Sequence, residues 1–101
     1  MIIESPYKQN DVVSIKLSSG EEMVARFIKA HKDHIEVKKP LMLVAGENGA
    51  GLAPFMFTVD QDAKIRLLFT NIICIVKTAK DTQDTYIQST TGIQVVQWQN
   101  L

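Results

Sequence analysis

The chain has 101 residues, 46% hydrophobic and 22% charged, the proportions of one soluble globular domain rather than two. Eleven Lys and Arg offset eleven Asp and Glu, which excludes a wholly polycationic surface for nucleic acid and an acidic solvating tail. The single cysteine, Cys74, has no intrachain disulfide partner and implies no oxidising compartment.

Met1-Ile2-Ile3 runs at once into Glu4, Pro6 and Lys8, too short an apolar stretch for a secretory signal. The longest later apolar run, Ile72 to Val76, is far too short to span a bilayer. The expectation is therefore a cytoplasmic chain with no membrane contact. Residues 1–10, broken by Pro6, carry no helix pattern and read as an N-terminal segment.

Period-two alternation begins at Asp11, with Val13, Ile15 and Leu17 on one face and Ser14 and Lys16 on the other. Ser18-Ser19-Gly20 predicts a tight turn in which Gly20 takes positive φ. A second strand, about Glu21 to Ala30, turns Met23, Ala25 and Phe27 inward and leaves Val24, Arg26 and Ile28 on the opposite face. His31-Lys32-Asp33-His34 is a polar break. A third strand runs from Ile35 through Val37 toward Leu43, with Pro40 at an edge or bulge because it cannot donate to a ladder.

Gly46 to Gly51 reads as a flexible loop, and Phe55, Phe57 and Val59 as a fourth alternating strand. Gln61-Asp62-Ala63 ends or bulges that strand before extended chain resumes from Ile65 to Phe69. Thr70-Asn71 breaks the run, and Ile72 to Lys77 forms a fifth strand. Residues 78–101, rich in Thr, Gln and Asp, read as a loosely held polar tail with one short extra strand over Gly92 to Val96. The expected fold is mainly all-β: a small, strongly bent, five-stranded antiparallel barrel over 11–77 with a short C-terminal element. Leu67-Leu68-Phe69 and Ile72 to Val76 are apolar on both faces without a gatekeeping charge, so they are either buried or paired with another copy. A head-to-tail pairing that closes gives a ring.

The run Val13-Ser14-Ile15-Lys16-Leu17-Ser18-Ser19-Gly20-Glu21 resembles the opening of the first motif of the Sm/LSm family, and Ile65 to Val76 resembles its second motif. Over roughly 11–77 the order of strands and turns is similar to the Sm fold, with Gly46 to Gly51 as the family's length-variable loop. The chain looks similar to short Sm-like proteins encoded by tailed phages and seen in marine samples. It departs from the family at the second motif, where Phe69 and Thr70 stand in place of an arginine and a glycine. It departs again near the third strand, where His31 to His34 and Glu36 stand where an aspartate and an asparagine are usual.

The resemblance implies a homo-oligomeric ring of about five to seven copies that binds single-stranded RNA, or DNA, at pore-facing loops. Carried onto this sequence, the nucleic-acid-binding residues are His31, Lys32, Asp33 and His34, then Phe69, Thr70 and Asn71. An imidazole or aromatic plane stacks a base, amide and hydroxyl groups bond its edge, and lysine meets the phosphate. Phe69, in alternation with Ile65 and Leu67, is equally readable as a core residue. Arg26, Lys29, Lys32, Lys38 and Lys39 outnumber Asp33 and Glu36 between 26 and 39, which makes either a phosphate-attracting zone or a solvated strand face.

His31 and His34 with Asp33 lack a further separated ligand, so no metal and no cofactor is expected. Cys74 reads as a small buried hydrophobe, and Trp98 as a docking or mobile residue of the tail. No nucleophile, base and acid converge in any recognisable motif, so the chain is not expected to be an enzyme. Nucleic-acid processing or chaperoning by a ring is the first functional expectation. The alternative is a phage structural or assembly ring, acting in the host cytoplasm as a protein-interaction platform.

Overall fold

β-Branched residues in alternation favour extended chain, and the computed structural model, which describes residues 6–91, forms it along most of its length. The elements are β1 (Val12–Leu17), β2 (Glu22–Ala30), β3 (His34–Gly46), β4 (Gly49–Pro54), β5 (Ile65–Leu68), a 3₁₀ turn (Phe69–Asn71), β6 (Ile72–Lys77) and α1 (Lys80–Ser89). All pairings are antiparallel, in the order β4-β3-β2-β1-β6, and β5 joins β3 beside β4. β4 covers the far half of β3 from Leu41, and β5 covers its near half from His34 to Val37.

Single extra residues bend this sheet. Register shifts put one at Ile28 in β2, one at Lys39-Pro40 in β3 and one at Ile73 in β6. Each such bulge tightens the local twist. Lys39 takes a positive φ of 51°, which places the proline where its missing N–H costs no ladder bond. The outer strands β5 and β6 are brought so close that one 3₁₀ turn joins them, yet they do not pair. The expected mainly β, strongly bent antiparallel fold is thus present, with six strands rather than five and as an open sheet rather than a barrel.

The concave face holds Val13, Ile15, Leu17, Met23, Ala25, Phe27, Ile35, Val37 and Leu67. Val13, Met23 and Val37 are fully buried, each such side chain contributing about 1.5–3 kcal/mol relative to exposure. Tyr7 closes one end of this core: its ring lies 5.7 Å from that of Phe27, and its hydroxyl donates to the Ile75 carbonyl at 2.7 Å.

The convex face carries a second, smaller cluster of Val12, Val24, Leu41 and Tyr86. Tyr86 belongs to α1, so residues 80–89 are a docked helix and not a loose tail. Its hydroxyl donates to the Lys39 carbonyl at 2.6 Å, tying the helix to the β3 bulge. The Ser14 and Thr78 hydroxyls, 2.8 Å apart, fix the approach to the helix. The expected strand over Gly92 to Val96, and Trp98, lie outside the described residues.

Two further expectations are corrected. Gly46 to Gly51 is not a loop but the end of a hairpin, turning over Glu47-Asn48 with Gly49 at φ +111°. Phe55 to Val59 is not a strand; the extended partner of β3 lies just before it, in the ladder from Leu41↔Pro54 to Gly46↔Gly49.

Candidate nucleic-acid interface

A polar four-residue break between two strands must satisfy its own backbone, and here it does so locally. The His31 amide donates to the His34 carbonyl at 2.8 Å, closing the β2–β3 turn. That closure lays the two imidazoles over each other, with centroids 4.3 Å apart and planes 12° from parallel. Each ring is also held by a carboxylate: His31 Nε2 donates to Glu36 at 2.9 Å, and His34 Nδ1 to Asp33 at 2.6 Å.

Those bonds set the charge of the turn. The His34 hydrogen bond holds the Asp33 carboxyl below its ordinary value of 3.8, against an opposing desolvation. The His31 hydrogen bond does the same for Glu36, whose ordinary value is 4.5. Both carboxylates are therefore ionised at neutral pH, and each is held in place by a hydrogen bond to an imidazole. Lys32, at the tip of the turn, is exposed.

The second expected segment arrives from β5. The Phe69 amide donates to the Asp33 carbonyl at 3.0 Å, and His34 stands opposite Leu68 in the ladder. The structure thus sets His31 to His34 beside Phe69, while Thr70 and Asn71 follow in the same exposed 3₁₀ turn. The Asn71 carbonyl accepts from the Ser18 amide at 2.9 Å, anchoring the far end of that turn to the β1–β2 connection. Phe69 is 40% exposed and belongs to neither core cluster, so its alternation with Ile65 and Leu67 does not carry it into the interior.

Sequence reasoning missed Arg66 as a neighbour of the site. In the sheet Lys29 of β2 and Arg66 of β5 both stand opposite Glu36 of β3, a charged row across three strands. Lys64 lies close enough to lower the Glu36 pKa by its charge. The signal was the outward position of Arg66 in Ile65-Arg66-Leu67, visible only once β5 is known to pair with β3. The helix α1 covers the other half of the convex face, at Val12, Val24 and Leu41, and leaves this basic half open. Cys74, expected to be buried, is exposed on β6 opposite the likewise exposed Lys16.

The arrangement can stack a planar base, donate hydrogen bonds and attract phosphate. Among the described residues no group of three or more His, Cys, Asp and Glu is placed to hold a metal ion. Nor, among them, is any helix long and apolar enough to cross a membrane. No protein-family model matches the chain, and no curated protein matches it either.

Proposed function

We propose that copies of this chain assemble head to tail into a closed ring that binds single-stranded RNA, and in second place DNA, at the paired turns. The observation that carries this reading is a pair of open sheet edges on one curved sheet. Among the described residues β5 is paired only with β3 and β6 only with β1. Apart from the Ile75 carbonyl that accepts from Tyr7, the outer side of each therefore presents backbone N–H and C=O groups to no strand. Leu68 on β5 is 48% exposed, and Ile73 and Val76 on β6 are 63% and 57% exposed. An apolar open edge is an adhesive one. Pairing β5 of one copy with β6 of the next satisfies both rows, and such a heterologous contact closes when its rotation divides the circle.

Each copy then adds one Lys32, one exposed Phe69 and one outward Arg66 to a repeated surface. Aromatic stacking and phosphate contacts are sequence-tolerant and individually weak, and repetition around a ring multiplies them through effective concentration. The ring holds or remodels strands without chemistry of its own. A second reading, a protein-interaction platform of a phage assembly ring, draws support from Leu43 and Val44, which are exposed on the β3–β4 hairpin.

Fluorescence anisotropy with labelled oligo-U and oligo-A separates the two. The RNA reading predicts binding that weakens steeply as salt rises, because cations on the protein displace condensed counterions. Absence of binding to either oligonucleotide at low salt overturns it in favour of the platform.

A further inference from the structure

Between the β3 bulge, the segment joining β4 to β5 and the end of α1 lies an apolar pocket of about 280 Å³. Its walls include Pro40, Leu41, Met56, Phe57, Val59 and Ile65. Phe57 is 76% exposed and Met56 and Val59 are also open to solvent, so the walls are partly built but not covered. Ser89 and Thr90, the end of the helix, complete the rim. Lys39 donates from Nζ to the Thr90 carbonyl at 3.3 Å and lies 3.9 Å from Asp62, drawing helix end and connecting segment together around the opening.

The described chain leaves this rim at Thr91, and ten residues follow: Gly-Ile-Gln-Val-Val-Gln-Trp-Gln-Asn-Leu. They contain no charged side chain and five large apolar ones, Ile93, Val95, Val96, Trp98 and Leu101. An uncharged, β-branched stretch of this kind is an aggregation hazard in water. The pocket lies near the lower end of the range of about 300–1,000 Å³ seen for small-molecule clefts, which suits one large ring rather than an extended ligand. An indole buries more apolar area than any other side chain here while keeping one N–H for a polar rim. Trp98 follows Thr90 by eight residues, a reach of up to roughly 26 Å of extended chain.

We propose that this pocket is the docking site of the chain's own residues after Thr91, with the Trp98 side chain as the anchor. The occupant is chosen by continuity, since the segment starts at the pocket rim, and by chemistry, since apolar walls meet an uncharged apolar segment.

Trp98 is the only tryptophan, so its fluorescence reports on this contact alone. In the full-length chain the emission maximum should sit well to the blue of free tryptophan, with weak acrylamide quenching. Val59→Asp and, separately, Phe57→Ser change exposed pocket residues outside the strands. Each should shift the emission to the red and raise the quenching constant several-fold, with far-UV circular dichroism unchanged. Emission like that of free tryptophan in the unaltered chain overturns the proposal, as does a blue emission that neither substitution moves. A neighbouring copy as occupant is tested by co-refolding Val59→Asp chains with Trp98→Phe chains, whose pockets are intact. Return of the blue emission in that mixture overturns docking within one chain; continued red emission supports it. This result is independent of whether the chain forms a ring.

Discussion

Removing the hydroxyl of Tyr86 isolates the bond that joins the helix to the sheet. The side chain is fully buried, and its hydroxyl donates to the Lys39 carbonyl at 2.6 Å and lies 3.4 Å from that of Lys38. Burial pushes the phenol pKa well above its ordinary value of 10.0, so the hydroxyl remains a neutral donor across the accessible pH range. Tyr86→Phe keeps the ring and its packing on Val12, Val24 and Leu41, but leaves the Lys39 carbonyl unpaired at a bulge held in positive φ. The loss combines a net hydrogen bond of about 0.5–1.5 kcal/mol with partial desolvation of an orphaned carbonyl, so about 1–2 kcal/mol is expected. For a domain of this size each kcal/mol moves Tm by roughly 4–8 °C. Tyr86→Ala also empties the site the ring fills and should cost about 3–5 kcal/mol. Urea unfolding at one fixed protein concentration, followed by circular dichroism, reads both variants as a lower midpoint at unchanged slope. A Tyr86→Ala variant within 1 kcal/mol of the parent would show that α1 does not dock, and the account of the convex face would fail.

Ile73→Lys with Val76→Lys places charges on the open β6 edge and should abolish assembly while leaving the circular dichroism spectrum intact; sedimentation velocity reads the outcome. Lys32→Ala and Arg66→Ala should each weaken oligo-U binding and lower the magnitude of the salt slope by about one, measured by anisotropy across a salt series. The Glu36 carboxyl has a folded pKa below its ordinary value of 4.5, so its contribution to stability is present above that pH and is lost as the pH falls through the lowered folded value. Glu36→Gln should flatten that part of the acid limb in urea midpoints taken from pH 6 down to pH 3, set by the about 4.3 of a free glutamate; an unchanged limb would count against the His31–Glu36 bond.

Alternation made the inner sheet legible. Val13, Ile15 and Leu17 lie beside Met23, Ala25 and Phe27 on one face of the sheet and share one core, because burial on a single face dictates period two. The turn at Gly20, with φ +107°, and the bulge at Pro40 were legible because each residue has few alternatives. β4 was not, since Gly-Ala-Gly-Leu-Ala-Pro has weak strand preference and is extended because β3 offers it a complete ladder. The converse holds for Phe55 to Val59, whose alternation marks no strand: Phe57 and Val59 line the pocket, and Phe55 packs against the main core. The helix was hidden because Tyr86 and Ile87 alone supply its apolar contacts in an otherwise polar run. Of the candidate site, the two turns were placed correctly as breaks between strands. Their adjacency, and the neighbouring Arg66, depend on β5 crossing to the edge of β3, a long-range pairing that no local pattern encodes.

The central claim is that the open β5 and β6 edges are completed by other copies of the chain. Absolute mass by light scattering coupled to size exclusion, taken across a salt series, tests it most directly. The account predicts one closed species of about five to seven protomers that persists at high salt, because its contacts are backbone pairing and apolar burial rather than ion pairs. A monomer at every salt concentration would contradict it, and would leave the paired turns without the repetition on which the binding argument rests.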